Sequence, residues 1–178
     1  LRDAVKKEIP EIEKVARLYD GNWPVFNINN NAIYEKECAY VDDEWFSLFK
    51  YDFIEGNAAA FSGDVNSIIL TASTAKKYFG NRNAMGATIR VDSMSYLVKG
   101  IVKDAPANSS FQYTSFIPLA NLLKDKDRRE NDERWENANY ITFIKPKAGS
   151  NENVLAKKIT DVFAKSSGDK ETTISLTP

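Results

Sequence analysis

The sequence predicts an α+β domain with mixed sheets, and three observations carry the prediction. Short apolar and aromatic stretches of strand length, such as 66–70 and 96–103, recur between turn residues along the chain. Helical segments are interleaved with them rather than gathered in one half. The C-terminal end reads as strand, helix, strand, a β-α-β unit over 140–144, about 151–165 and 172–176. At 178 residues the chain fits a single domain. A chain of that size hides roughly 70% of its unfolded surface and needs no disulfide or metal to fold.

Residues 3–9 carry a helical pair in Val5 and Ile9, and Pro10 ends the helix because the residue before a proline disfavours the helical region. Residues 11–18 read as a strand. Two aromatic and β-branched stretches follow, 23–28 and 32–41, with Asn29-Asn30-Asn31 as the turn between them. Asp42-Asp43 is placed to cap a short helix over 44–49. Residues 51–54 look extended, and Glu55-Gly56-Asn57 closes that stretch.

Residues 66–70 form a short apolar strand. Thr71 or Ser73 opens a helix to Tyr78, with Gly80 as its left-handed terminator. Residues 87–91 and 96–103 read as a hairpin around Asp92-Ser93. Alternation puts Tyr96, Val98, Gly100 and Val102 on one face and Leu97 and Ile101 on the other. Gly100 inside a strand suggests a bulge or close packing. After a loop at Pro106 and Asn108-Ser109-Ser110, a strand resumes over 111–117 and a helix starts over 118–123. The charge-dense run 124–136 is a solvated loop or an exposed helix. In the last helix Leu155, Ile159, Val162 and Phe163 fall at i, i+4, i+7 and i+8, one apolar stripe, and Gly168 stops it.

Function is bounded first by what the composition lacks. With 24 basic and 25 acidic side chains there is no basic field for nucleic acid or anionic lipid. The absence of histidine removes the commonest general base and metal ligand together. The single cysteine, Cys38, forms no internal disulfide and reads as a buried thiol in a strand. Ser73-Thr74-Ala75-Lys76 spells the lysine-activated serine motif of penicillin-binding enzymes, but its partner motifs are missing and Ser73 reads as a helix cap. The stretch from Gly80 to Thr88 has five residues between its glycines where a phosphate loop has four, and Ala87 where the lysine belongs. Asp42-Asp43 and the Asp125, Asp127, Asp132 run lack the turn glycine and closing glutamate of a calcium loop. Trp23, Trp45 and Trp135 are read as core residues rather than as the lining of a groove. We therefore expect no catalytic, cofactor-binding or metal-binding residue, and no enzyme.

An ordered set of fragments carries a resemblance. Tyr40-Val41-Asp42, Trp45-Phe46-Ser47-Leu48-Phe49 and Ile54-Glu55-Gly56-Asn57 come first. Ile68-Ile69-Leu70-Thr71, Ala75-Lys76-Lys77-Tyr78-Phe79-Gly80 and Met85-Gly86-Ala87-Thr88-Ile89 follow. The run Tyr96 to Pro106, then Ser109-Ser110-Phe111 and Thr142 to Gly149, complete it. Over roughly residues 1–165 this pattern resembles the MacB-like periplasmic core domain of ABC transporter permeases of the MacB, FtsX and LolE type. It departs from the family in Ala87, where a lysine is usual, and in Trp45 for a phenylalanine.

The resemblance implies a two-lobed extracytoplasmic domain between the first two membrane helices of an inner-membrane permease. Lobe one would comprise 1–41 plus 139–178 and lie near the membrane; lobe two would be 42–138. Both ends of the chain, Leu1 and Pro178, should then sit at one end of the fold. The domain would bind a partner or substrate and transmit shape change driven by a cytoplasmic ABC ATPase, beside a second permease protomer. A periplasmic adaptor or a lipoprotein is a further candidate partner. The membrane would be reached through flanking helices, since no stretch here approaches the ~18 apolar residues of a span. The chain opens on Leu1-Arg2-Asp3 without an initiator methionine and reads as a fragment of such a protein. An extracytoplasmic ligand-sensing domain of a signalling receptor is the alternative, and a secreted hydrolase is a third class. The sensor would call for a long N-terminal helix, where Pro10 stops this one early.

Overall fold

The computed structural model describes every residue except Asn30, Glu136 and Pro178. The chain begins with α1 (Arg2–Glu8), and the extended backbone of Ile9 before Pro10 ends it as expected. Then come β1 (Ile12–Tyr19), β2 (Val25–Ile28), β3 (Asn31–Tyr34) and β4 (Cys38–Val41). A short helix, α2 (Trp45–Leu48), leads to β5 (Phe53–Gly56), α3 (Ala58–Ser62), β6 (Ser67–Thr71) and α4 (Ala72–Phe79). The hairpin β7 (Thr88–Val91) and β8 (Met94–Val102) precedes β9 (Ser115–Pro118) and α5 (Leu119–Leu122). The chain closes with α6 (Lys126–Asp132), β10 (Ile141–Pro146) and α7 (Glu152–Ser167). Among the described residues no helix is long and apolar enough to cross a membrane.

Among the described residues ten strands form one mixed sheet in the order β10-β1-β4-β9-β6-β8-β7-β2-β3, with β5 added to β8. The pairs β4–β9 and β6–β8 are parallel and the rest antiparallel. The strands β4, β6 and β9 are buried along their whole length because both sheet faces are covered there. One face packs Phe26, Tyr40, Ile68, Tyr78, Tyr96 and Ile117 into a core. The other face packs Trp45, Phe46, Phe61, Ile69, Val102 and Phe116, with edge-to-face aromatic pairs such as Phe46–Phe61 at 5.0 Å. A third, smaller cluster lies under α1 and α7: Val5, Ile9, Val15, Leu155, Ile159 and Val162.

Several expectations need correction, each for a local reason. The stretch 32–41 is two strands rather than one. Glu35 turns inward between them, 7% exposed, and its carboxylate takes Lys77 Nζ at 2.8 Å and the Tyr78 hydroxyl. On one side of that break β3 pairs with β2, and on the other β4 pairs with β1 and β9. In β8 the expected alternation fails at Lys99, which is bulged out between the Ile68–Val98 and Ile69–Gly100 pairs. The bulge shifts the faces by one residue, so Ile101 joins Tyr96 and Val98 while Val102 points to the other core. Gly100 makes the bulge possible, because a Cβ there would lie 2.8 Å from Ile69 Cδ1. The expected strand over 172–176 has no ladder partner among the described residues. Instead Ile174 N–H bonds Thr160 Oγ1 at 3.0 Å, and Ile174 and Leu176 pack on the cluster under α7. The strand after the Pro106 loop begins at Ser115 rather than at Phe111, and α3 is an element the sequence reading does not contain.

Residues from both ends of the described chain contribute to that third cluster: Val5 of α1 shares it with Leu155, Ile159 and Val162 of α7, and Leu176 packs against it. Pro178 itself lies outside the described residues. Within 1–41, β1 pairs with β10 and β4, whereas β4 pairs with β9 and β2 with β7, both strands of the middle segment.

Candidate functional site

In β1 the charged Arg17 stands among the buried Val15, Ala16 and Leu18. A guanidinium in that position must be paired, because an unpaired buried charge costs several kcal/mol, about 3–5 when one partner is removed. Asp42, directly after β4, pairs with it. Its carboxylate accepts Arg17 Nε at 3.0 Å, Nη2 at 3.1 Å and the Arg17 backbone N–H at 2.9 Å. From α6, Asp132 accepts Arg17 Nη1 at 2.9 Å. The Tyr140 ring lies under the guanidinium, 4.9 Å from centroid to Cζ. Arg2 of α1 brings Nε to 3.2 Å from Asp42 Oδ2, close enough to attract but angled so that no hydrogen bond forms.

These four charges form a chain, Arg2–Asp42–Arg17–Asp132, that joins α1, β1, the β4–α2 junction and α6. Burial alone would lower the Arg17 pKa, but its bonds to Asp42 and the charges of Asp42 and Asp132 hold it above the ordinary value. Burial, then the Asp132 charge, pushes the Tyr140 phenol up, so it stays protonated. Neither group therefore exchanges a proton at neutral pH. The arrangement can fasten elements together or let them part.

Beside this junction lies a cleft of about 380 Å³ between α5–α6 and the β7–β8 turn, lined by Asn22, Tyr40, Asp92, Met94, Tyr96 and Arg128 among others. Tyr40 and Tyr96, both 3% exposed, contribute to its lining. Tyr96 O–H donates to Asn121 at 2.8 Å, whereas the Tyr40 hydroxyl accepts from Asn22 at 3.4 Å. Arg128 of α6 reaches over the Tyr19 ring, 5.9 Å to its centroid, next to the same cleft.

The residues considered for chemistry are placed elsewhere. Ser73 is not the cap of α4; Thr71 occupies that position. Asp104 takes the cap's role from outside the helix, accepting both Ser73 Oγ and Ser73 N–H. Burial would raise the Asp104 pKa, but the bonds from Ser73 and Thr71 outweigh it and hold the carboxylate low. The Gly80–Gly86 turn commits its amides to the fold: Gly80 N–H to Lys76 O and Gly86 N–H to Val98 O. The Asp42 side chain does not cap α2, whose N-cap is Glu44, because its carboxylate is taken by Arg17; only its backbone carbonyl reaches the helix, accepting Trp45 N–H at 3.0 Å. Asp125 does cap α6, accepting Arg128 N–H at 3.0 Å. Trp45 is core, Trp23 is 60% exposed under Lys36, and Trp135 packs on Phe163, so the three tryptophans share no site. Cys38 is buried beside Ser115, its thiol pushed up to about 12 by burial. Sequence reasoning weighs Asp132 only as part of an acidic run and does not single out Arg17 or Tyr140; the one signal is an arginine flanked by apolar residues.

The family described as MacB-like periplasmic core domain matches residues 1–162, and the chain belongs to that family. Its fold is similar to a domain of a putative permease protein from Porphyromonas gingivalis, with a TM-score of 0.80, 19% identity, and 100% of this chain and 82% of that one covered. It is also similar to the periplasmic region of MacB from Actinobacillus actinomycetemcomitans, with a TM-score of 0.71, 15% identity, and coverage of 95% and 75%. The extracellular domain of the noncanonic ABC-type transporter YknZ from Gram-positive bacteria gives a TM-score of 0.70 at 14% identity, covering 98% and 88%. Among curated proteins nothing matches. The family is a periplasmic domain of ABC-type membrane permeases and not a known enzyme class.

Proposed function

We propose that this domain is the extracytoplasmic, non-catalytic part of an inner-membrane ABC permease. It engages a partner or substrate and passes on shape change driven by a cytoplasmic ATPase. Family membership supports the setting. The observation that carries the mechanical reading is the Arg2–Asp42–Arg17–Asp132 chain, which spans the joints between the segments 1–41 plus 139–178 and 42–138. Charge chains of this kind are directional and can adopt discrete arrangements, as a coupling element must. The two segments act as lobes that share one continuous sheet, with motion concentrated near Val41 and Asn139. A second permease protomer completes the assembly, and a periplasmic adaptor or lipoprotein is the partner class for the outer lobe.

The test is removal of residues 42–138 from the full permease, with a short linker in their place. Basal ATP hydrolysis should persist while transport is lost. If transport continues, the segment is a passive cover and the mechanical reading is wrong.

A further inference from the structure

The charge chain has an asymmetry that bears on how motion would travel. The helix α6 buries none of its residues. Its side-chain ties to the rest of the fold are polar or cationic: Asn131 accepts from Asn137, Asp132 takes Arg17 at 2.9 Å, and Arg128 reaches the Tyr19 hydroxyl at 3.5 Å and its ring, the last two residues one helical turn apart on one face. Arg17 in turn is oriented by Asp42, and Asp42 is shared with Arg2 of α1. With Lys124 and Asp125 just before it, α6 also supplies one wall of the Tyr40 cleft through Arg128.

We propose that α6 is a displaceable wall of that cleft and that α1 sets its position through Arg2, Asp42 and Arg17. This deepens the proposed function, resting on the reading that motion enters the domain through its membrane-proximal elements. When α1 shifts, Arg2 withdraws from Asp42 and the carboxylate is left to Arg17 alone. Arg17 then re-centres on Asp42, where it already has three hydrogen bonds including its backbone N–H, and its hold on Asp132 weakens. Released, α6 swings from Tyr19 and widens the cleft over Tyr40 and Tyr96. No apolar seat has to be broken, so the motion is small in cost and reversible.

The experiment is backbone NMR on this chain, following amide shifts and heteronuclear NOE values over 126–132. Asp132→Asn, which takes the charge out of the last link and leaves at most a neutral amide acceptor for Arg17, should lower the NOE of α6 and leave β6 and β9 unchanged. Arg2→Gln, which alters only the far end, should move α6 in the same direction by a smaller amount. Unfolding midpoints of both variants, measured alongside, separate local release from global loss. Loss of α6 order in Asp132→Asn but not in Arg2→Gln overturns the coupling to α1. An unchanged α6 in both variants overturns the displaceable wall. Because no ATPase or membrane is involved, either result stands apart from the transport test above.

Discussion

Two helices on the surface of this domain are held in opposite ways. The helix α7 lays Leu155, Ile159 and Val162 into an apolar cluster shared with Val5, Ile9 and Val15. The salt bridges Lys165–Glu8 at 2.8 Å and Lys158–Glu11 only decorate that seat. The helix α6 has no apolar seat and depends on Arg17 and Tyr19. An apolar seat is non-directional and scales with area, so it yields only when the fold yields. A polar seat depends on angles and distances and can let go by itself. The difference separates a part of the molecule built to stay from one built to move.

Substitutions in the two seats should have different consequences. Arg17→Ala strikes the polar side hardest, because it leaves Asp42 buried with only Arg2 nearby; it should cost about 3–5 kcal/mol in urea unfolding. A loss under ~1 kcal/mol would mean the network is solvated and not structural. On the apolar side, Leu155→Ala should cost about 2–5 kcal/mol and release α7 and the fold together in one transition. A separate early transition of α7 would erase the contrast. Gly86 has φ +75°, and a Cβ added there would meet nothing within 4 Å, so Gly86→Val costs backbone strain alone, about 1–3 kcal/mol. At the small end, Asp132→Asn should change global stability by less than ~1 kcal/mol, since α6 contributes little burial.

Alkaline pH tests the buried interior itself. The Cys38 thiol titrates near 9 when unfolded and is pushed up to about 12 by burial. The buried phenols of Tyr40, Tyr78 and Tyr96 are raised in the same direction by the same cause. Above pH 9 the unfolded chain sheds protons that the folded chain keeps, so stability is full below that pH and falls as pH rises towards 12. The urea midpoint should drop steadily over that window, and Cys38→Ala should flatten its lower part. A midpoint that does not move would show that these groups titrate as in water.

What is legible in the sequence follows from the range of the forces involved. The apolar stripe of α7, its stop at Gly168 and the β7–β8 hairpin are set by neighbours within a few residues, and sequence and structure agree on them. The family pattern is legible too, because it is spread over many short fragments whose order is itself information. The split between β3 and β4 is not, since Glu35 turns inward to meet Lys77 and Tyr78, partners 42 and 43 residues away. Asp42 looks like a cap because caps are local, whereas its true partner Arg17 lies 25 residues back. Asp132 sits in a charge run where every residue looks solvated, and nothing local marks the one that reaches Arg17 across 115 residues. The expected last strand misleads for a different reason: Ile174 and Leu176 are apolar because α7 and its cluster need covering, not because a ladder needs a strand.

The most direct test of the account is to fix the joint near Asn139 in the full permease. Asp132 and Tyr140 flank that joint on its two sides, and both face Arg17. Asn131→Cys with Asn139→Cys, neighbours of those two that take no part in the charge chain and meet where Asn139 Nδ2 donates to the Asn131 carbonyl at 3.5 Å, joined by a reducible bis-maleimide, would tie α6 to the strand-bearing body; buried Cys38 should not react. Transport measured with ATP hydrolysis in the same vesicles gives the readout. The account predicts that cross-linking stops transport, leaves basal hydrolysis in place, and is undone by reductant. Transport continuing at its original rate with the cross-link formed would contradict it.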